Sequence, residues 1–160
     1  MRVTTYNTRL TENRQITLIK EDCSNYPGIA NKFNQSDLVA QFATEYLEMD
    51  KLTEEYMYMM CLNSKLALTS VFRISHGNVN TTITSPREIF QKALLANAVY
   101  IILMHNHPSG DPTPSDSDLR TTKNLADIGE LLDVILLDHI IIASNGYYST
   151  FDHEKAESRK

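Results

Sequence analysis

The pattern of apolar and polar positions along the chain predicts an alternation of strands and helices. Residues 99–104 form an apolar run without polar alternation, which is typical of a central strand covered on both faces. Apolar residues at helical spacing follow Ser36, Ser85 and Ser115, so three helices are predicted there, the last one reaching about residue 132. Further strands are predicted at residues 15–20, 56–62, 66–75, 79–84 and 134–143, with a final hairpin that turns at residues 144–146.

Local signals predict how these helices begin and which side of each is buried. Ser36 is an expected N-cap, and Ser85 and Glu88 have the spacing of a capping box around Pro86 at the first helical position. The predicted apolar faces are Leu38, Phe42, Tyr46 and Met49 in the first helix, Ile89, Phe90, Ala93 and Leu94 in the second, and Leu119, Leu125, Ala126 and Leu132 in the third.

The chain has the size and composition of one globular domain. It contains 160 residues, of which 42% are hydrophobic, and this is enough for one sizeable core. The predicted helices and strands place that domain at residues 36–151. Residues 1–35 are polar, end near a turn signal at Pro27 and Gly28, and are interpreted as an arm packed on the domain. Residues 152–160 are interpreted as a solvated tail.

Charge and hydropathy narrow the classes of partner. The formal net charge is −5, whereas nucleic-acid-binding proteins usually present a concentrated basic face, so direct binding to nucleic acid is not expected. No apolar run approaches the roughly 18 to 20 residues of a membrane helix, and the N-terminus lacks a signal-peptide pattern, so a cytoplasmic protein without membrane contact is expected. Cys23 and Cys61 lie far apart in the sequence and are predicted to be small buried hydrophobes.

The strongest chemical signal follows the apolar run at residues 99–104. In an extended strand His105 and His107 point to the same side, while Asn106 faces away. Asp118 lies in the first turn of the helix capped by Ser115, where a carboxylate is favoured. Each residue alone could have a purely structural role. Together, two imidazoles and one carboxylate at the end of a buried strand favour a metal site with an open fourth position, as in catalytic zinc centres.

The same residues resemble a known family motif. His105, His107, Ser115 and Asp118 match the JAMM metalloprotease pattern H-x-H-x(7)-S-x-x-D, which is a specific signal. The stretches that resemble the RadC branch of that family are residues 86–90, 107–112, 114–115 and 137–141.

This resemblance, which covers about residues 36–151, carries expectations for fold and function. It implies a JAB-type α/β fold, with a mixed sheet flanked by helices in a layering like that of cytidine deaminases. It also implies a zinc ion held by His105, His107 and Asp118, with Ser115 hydrogen-bonded to the attacking water or to the developing oxyanion. The implied activity is the hydrolysis of peptide or isopeptide bonds, in a family whose name is attached to DNA repair.

The identity of the general base sets the expected level of activity. The resemblance places the family's water-activating glutamate at position 73, where this chain has Arg73. A guanidinium cannot accept a proton, so peptidase activity is expected to be weak. Among the carboxylates that could substitute, Glu88 is interpreted as a capping residue and Glu54 and Glu55 as solvated charges. Asp138 is interpreted as a residue that orients a ligand histidine.

Two functional hypotheses follow from these observations. The first is a zinc metallohydrolase of low activity that acts on a polypeptide substrate. The second is a non-catalytic module in which the metal stabilises a surface that binds a protein partner. Two histidines and one carboxylate also suit non-haem iron, so the identity of the metal is open at this stage.

Overall fold

Seven strands form one mixed sheet with helices on both faces, as a computed structural model shows for residues 2–26, 32–77 and 85–152. This confirms the predicted α/β fold. The strands are β1 (Arg2–Leu10), β2 (Ile16–Asn25), β3 (Glu55–Leu62), β4 (Leu68–Gly77), β5 (Tyr100–Asn106), β6 (Ile135–Ala143) and β7 (Gly146–Ser149). The α-helices of the described residues are α1 (Ser36–Glu45), α2 (Pro86–Leu95) and α3 (Asp116–Leu131), and Met49–Lys51 forms a short 3-10 turn. Across the sheet the strand order is β2-β1-β4-β3-β5-β6-β7.

Two hydrophobic clusters, one on each face of the sheet, hold the helices in place. On one face Phe42 of α1 packs in a cluster with Ile102. On the other face Phe90 of α2 and Leu125 of α3 share a cluster with Leu103. Each of these side chains is at most 3% exposed, and full burial of such a side chain contributes about 1.5–3 kcal/mol. Because neighbouring residues of β5 enter different clusters, this strand is buried on both faces, as predicted.

The central strand β5 brings three distant segments together at its C-terminal end. It pairs antiparallel with β3, where Met57 lies opposite His105, and parallel with β6, where Ile141 lies opposite His105. Because β5 and β6 are parallel, the connection between them must cross back over the sheet, and it contains α3. The start of β3 and the N-terminus of α3 therefore both lie near the two histidines.

The first two strands of the sheet, β1 and β2, lie within the predicted arm. The predicted strand at residues 15–20 corresponds, from Ile16 onwards, to the first half of β2. This strand pairs antiparallel with a second strand, β1, that the sequence pattern does not predict. β1 also pairs parallel with β4 through Thr5 and Val71 and so joins this hairpin to the central strands. The turn predicted at Pro27 and Gly28, the strand predicted at residues 79–84 and nearly all of the predicted tail lie outside the described residues.

The helix starts differ in part from the predicted caps. α2 does have Pro86 near its start, but Ser85 makes no capping hydrogen bond through its side chain. Glu88 instead accepts a hydrogen bond from Lys92 Nζ at 2.9 Å, one helical turn later, so the predicted capping box is wrong. The N-cap of α1 is Gln35, and Ser36 donates its hydroxyl hydrogen bond to Asp152.

Several predicted core positions on the helices are exposed to solvent. Leu94, Leu119 and Leu132 are 54%, 45% and 41% exposed, so their assignment to the core is wrong. Only part of each apolar stripe meets the sheet, because α2 and α3 share one face of it. Among the described residues, no helix combines the length and the apolar character needed to cross a bilayer.

The two cysteines lie in different environments. Cys61 is fully buried, as predicted, and burial raises the pKa of its thiol to about 12. Cys23 is only partly buried on β2, where it accepts hydrogen bonds from Thr4 Oγ1 and Arg2 Nε, so its assignment to the core is wrong. These two partners lower the pKa of the Cys23 thiol to about 7.

Candidate metal centre

The two histidines at the end of β5 point to the same side of the sheet, as predicted. His105 Nε2 and His107 Nε2 lie 3.0 Å apart. His105 is 1% exposed, whereas His107 is at the rim of the site and 16% exposed. The backbone N–H of His107 donates to the carbonyl of Ile142 at 2.8 Å, so β6 supports the chain up to Pro108, which has no N–H to continue the pairing.

The first turn of α3 brings Asp118 to the two histidines. Its carboxylate oxygens lie 3.5 Å from His105 Nε2 and 3.6 Å from His107 Nε2. A capping box fixes this carboxylate, because Asp118 Oδ2 accepts from the Ser115 backbone N–H at 2.8 Å while Ser115 Oγ accepts from the Asp118 N–H at 3.2 Å. The helix start therefore aims the side chain of Asp118 at the end of β5.

Glu55 is the fourth member of the cluster, and the interpretation of it as a solvated charge is wrong. Its side chain is 14% exposed, and Glu55 Oε1 lies 3.9 Å from His105 Nε2. One ligand atom from each of Glu55, His105, His107 and Asp118 lies within 4.8 Å of the others. Sequence spacing does not predict this contact, because it depends on the antiparallel register of β3 against β5.

Asn106 holds the start of β3 beside the histidines. It faces away from the two imidazoles, as predicted, and is 1% exposed. Its side-chain oxygen accepts from the Tyr56 backbone N–H at 2.8 Å, and its amide donates to the Glu54 carbonyl at 2.9 Å. These two bonds flank Glu55 in the chain, so the residue between the two histidines also fixes the backbone that carries Glu55.

We expect Asn106→Ala to lower the free energy of unfolding by roughly 1–3 kcal/mol, because it leaves two backbone groups at the start of β3 without their partner. Urea unfolding monitored by circular dichroism measures this loss. Asn7→Ala is the matched control, since the Asn7 amide bonds to Glu21 at an exposed position of the β1–β2 hairpin. Equal stability of the two variants would show that Asn106 does not hold β3.

Burial and neighbouring charges set the protonation of the cluster. Burial, together with the neighbouring His139, lowers the pKa of His105 well below its ordinary value. Interaction with Asp118 raises the pKa of His107. Burial alone would raise the pKa of Asp118, but its interactions with His107, Ser115 and His105 outweigh this effect and hold the pKa well below its usual range. Near neutral pH the cluster therefore contains a neutral His105 and an ionised Asp118.

The chemistry of the converging atoms fits a divalent cation. His107 Nδ1 lies 2.9 Å from the Asp111 carbonyl, which can only accept, so this nitrogen carries the proton and a neutral His107 presents a bare Nε2 to the cluster. The carboxylates of Glu55 and Asp118 add only acceptor oxygens. Lone pairs that converge at these distances repel one another unless a proton or a cation lies among them. Imidazole and carboxylate together are ligands that suit zinc, among other transition metals.

The structure does not bring Arg73 to this cluster. Arg73 is exposed on β4 and pairs with Tyr58 of β3, whose side chain packs against the cluster of α1. His105 lies opposite Met57, which packs in the cluster on the other face of the sheet. The side chains of Arg73 and His105 therefore lie on opposite faces. The acidic residue that the neighbouring strand β3 brings to the histidines, in addition to Asp118 of α3, is Glu55.

Asp138 has a different role from the expected one of orienting a histidine of the cluster. Its carboxylate accepts from Ser149 Oγ at 2.6 Å and Thr150 Oγ1 at 2.9 Å, and its hydrogen bonds among the described residues include none to an imidazole ring. It fixes the chain after β7 and accepts the backbone N–H of His139 at 2.8 Å. The side chain that contacts a ligand histidine is His139 itself, whose Nε2 lies 2.7 Å from His105 Nδ1. Burial lowers the pKa of His139 to about 4, so this ring is neutral near pH 7.

Comparison with known proteins connects this centre to one family. The family model of the RadC-like JAB domain matches residues 33–156. A UPF0758 protein of Alkaliphilus metalliredigens is 48% identical over 102 residues, which cover 64% of this chain and 44% of the relative. UPF0758 proteins of Desulfitobacterium hafniense and Enterococcus faecalis are 37% and 39% identical, over 84% and 82% of this chain and 58% and 57% of the relatives. The chain thus spans about half the length of the curated relatives it matches.

Proposed function

This chain belongs to the RadC-like JAB domain family, and on that premise we propose that it is a zinc-dependent hydrolase of peptide or isopeptide bonds. The observation that carries the proposal is the carboxylate of Glu55, which faces two histidines and an aspartate in a partly enclosed cluster. This observation also removes the reason to expect weak activity. A proton acceptor is present at the cluster although position 73 is an arginine.

The proposed roles divide the cluster into ligands and a base. His105, His107 and Asp118 would hold the zinc ion, since two imidazoles and one carboxylate leave an open position for catalysis. When bound, zinc would supply Lewis acidity, which makes water more acidic and polarises a carbonyl group. Glu55 is assigned the base because its Oε1 lies 3.9 Å from His105 Nε2, farther than either carboxylate contact of Asp118, and because it comes from a different strand.

Glu55 would then move the proton that hydrolysis requires. Its carboxylate accepts a proton from the attacking water and delivers it to the amine nitrogen that leaves, so one group serves both halves of the reaction. Its enclosure favours this role, because a carboxylate with little exposure to solvent interacts strongly with charge that develops nearby. The fixed start of β3 keeps the carboxylate in reach of the histidines.

Ser115 is assigned a positioning role in this proposal. Its hydroxyl donates to Asp118 Oδ2 at 2.6 Å and so holds the carboxylate that would bind zinc. The resemblance of the motif to the JAMM pattern implies a further bond from Ser115 to the attacking water or the oxyanion. A bond to the oxyanion requires the hydroxyl to turn away from Asp118, whereas water could donate to Ser115 Oγ in its present orientation, and both bonds stay predictions.

The proposal is tested by metal analysis combined with a hydrolysis assay. The protein is purified without added metal, its zinc and iron are measured, and it is assayed against fluorogenic peptides and peptides linked through a lysine ε-amine. We expect about one zinc ion per chain and hydrolysis that a chelator abolishes and added zinc restores. Stoichiometric zinc without hydrolysis of any substrate would favour the protein-binding module, and stoichiometric iron would overturn the assignment of the metal.

A further inference from the structure

His139 connects a ligand histidine to the helix that carries the ligand aspartate. The ring is fully buried, with Nε2 2.7 Å from His105 Nδ1 and Nδ1 2.6 Å from Thr122 Oγ1. Thr122 Oγ1 in turn lies 2.7 Å from the backbone carbonyl of Asp118. The hydrogen bonds of the described residues therefore form a continuous chain from His105 through His139 and Thr122 to Asp118.

The direction of every bond in this chain follows from its last acceptor. A carbonyl has no proton, so the single hydroxyl proton of Thr122 is donated to Asp118 O, and Thr122 Oγ1 must accept from His139 Nδ1. His139 is neutral, because it is fully buried between two neutral partners, and it therefore has a bare Nε2. This atom can only accept, so His105 donates from Nδ1.

The consequence concerns the other nitrogen of His105. A neutral imidazole with its proton on Nδ1 has a lone pair on Nε2, and this atom faces Glu55, His107 and Asp118. Without these hydrogen bonds, the carboxylate of Asp118 would favour the tautomer of His105 with its proton on Nε2, because Asp118 Oδ1 lies 3.5 Å from this nitrogen and attracts a proton there. A proton on Nε2 blocks a metal ion. The hydrogen bonds through His139 and Thr122 thus keep the proton of His105 on Nδ1, against the attraction of Asp118.

We propose that His139 and Thr122 are positioning residues that fix the tautomer of His105, so that its Nε2 lone pair faces the cluster before any metal binds. The proposal rests on the proposed function only in taking His105 as a metal ligand. His107 obtains the same tautomer directly from the Asp111 carbonyl. Both histidines of the pair are thereby prepared as ligands, His107 by a backbone carbonyl and His105 through the side chains of His139 and Thr122.

The test reads the tautomer directly in the metal-free full chain. Long-range ¹H–¹⁵N correlation spectra at mildly alkaline pH distinguish a proton on Nδ1 from one on Nε2, and His105→Gln assigns the signals. We expect His105 to carry its proton on Nδ1 in the wild type. A proton on Nε2 of His105 in the wild type would overturn the proposal, whatever the result of the hydrolysis assay.

Substitutions at Thr122 then test whether the hydrogen bonds through this residue fix the tautomer. Thr122→Val keeps the shape of the side chain but removes the hydroxyl, so we expect a loss of the single Nδ1–H form of His105. Zinc affinity, measured by competition with a chromogenic chelator, should fall about 10- to 100-fold, the usual effect of losing a residue that supports a metal ligand. Thr122→Ser keeps the hydroxyl and should restore both readouts. Thr121→Val is the matched control, because Thr121 lies on the same helix but outside the series of hydrogen bonds from His105 to Asp118.

The outcomes separate this inference from a simple packing effect. A packing defect would appear in Thr122→Ser, which loses the methyl group, at least as strongly as in Thr122→Val, which keeps the shape of the side chain, and it would leave the tautomer of His105 unchanged in both. An unchanged tautomer and zinc affinity in Thr122→Val would overturn the proposal. If Thr122→Val does not fold, His139→Gln provides the same two readouts, since it removes the imidazole but keeps a polar side chain.

Discussion

Glu55→Gln is expected to lower the rate of peptide or isopeptide hydrolysis by about 10² to 10⁴-fold while the zinc content stays near that of the wild type. The size follows from the usual contribution of a general base. Glutamine has nearly the same shape as glutamate but cannot accept the proton, and the three assigned ligands His105, His107 and Asp118 are untouched. The measurement is kcat/KM on the best substrate of the panel, with elemental analysis of the same samples.

Two control variants make this result specific. Glu54→Gln makes the same chemical change at the adjacent, exposed position and should keep full activity. Arg73→Glu should produce no gain in rate, because the side chain of position 73 lies on the face of the sheet opposite His105. Equal loss in Glu54→Gln and Glu55→Gln, or a large gain in Arg73→Glu, would show that the base has been assigned to the wrong residue.

The convergence of His105, His107 and Asp118, the proposed metal ligands, could be predicted from the sequence because local geometry determines it. His105 and His107 are two residues apart on one strand, and the cap at Ser115 fixes where Asp118 points. Glu55 could not be found in this way. It lies fifty residues before His105 in the chain, as the sequence numbering shows, and reaches the cluster only through the pairing of Met57 with His105. A contact that depends on the pairing of two strands far apart in the sequence leaves no periodic pattern in that sequence.

The arm at residues 1–35 illustrates a second limit of sequence patterns. Predicting a strand requires alternation against a buried face, and most residues of β1 are partly or fully exposed. The strand exists because β2 and β4 supply hydrogen-bond partners on its two sides. The exposed Leu94, Leu119 and Leu132 reflect the opposite error, since an apolar stripe shows which side of a helix can be buried but not how much of that side a neighbour covers.

The second large effect is expected for removal of a single ligand. His107→Ala should lower zinc affinity by more than about 100-fold, since losing a residue that merely supports a ligand already costs 10- to 100-fold. The reason is geometric, because His107 supplies one of the two nitrogens 3.0 Å apart at the centre of the cluster. Competition with a chelator gives the affinity. Saturating zinc, at about 100 times its dissociation constant, should also stabilise the wild type by about 2.7 kcal/mol but not this variant.

Protons should compete with zinc at the same nitrogen, which gives the affinity a pH dependence of known sign. Interaction with Asp118 raises the pKa of His107, so this imidazole keeps its proton at a higher pH than an ordinary histidine. Zinc needs the neutral form. Affinity should therefore be highest above the raised pKa and fall as the pH drops through it. Asp118→Asn removes the charge that raises this pKa and one proposed ligand together, and should lower the affinity. Asp116→Asn makes the same chemical change two residues earlier, on an exposed side chain, and should leave the affinity unchanged. Full zinc binding by His107→Ala, or equal affinities for the two aspartate variants, would mean that the metal does not bind at the end of β5.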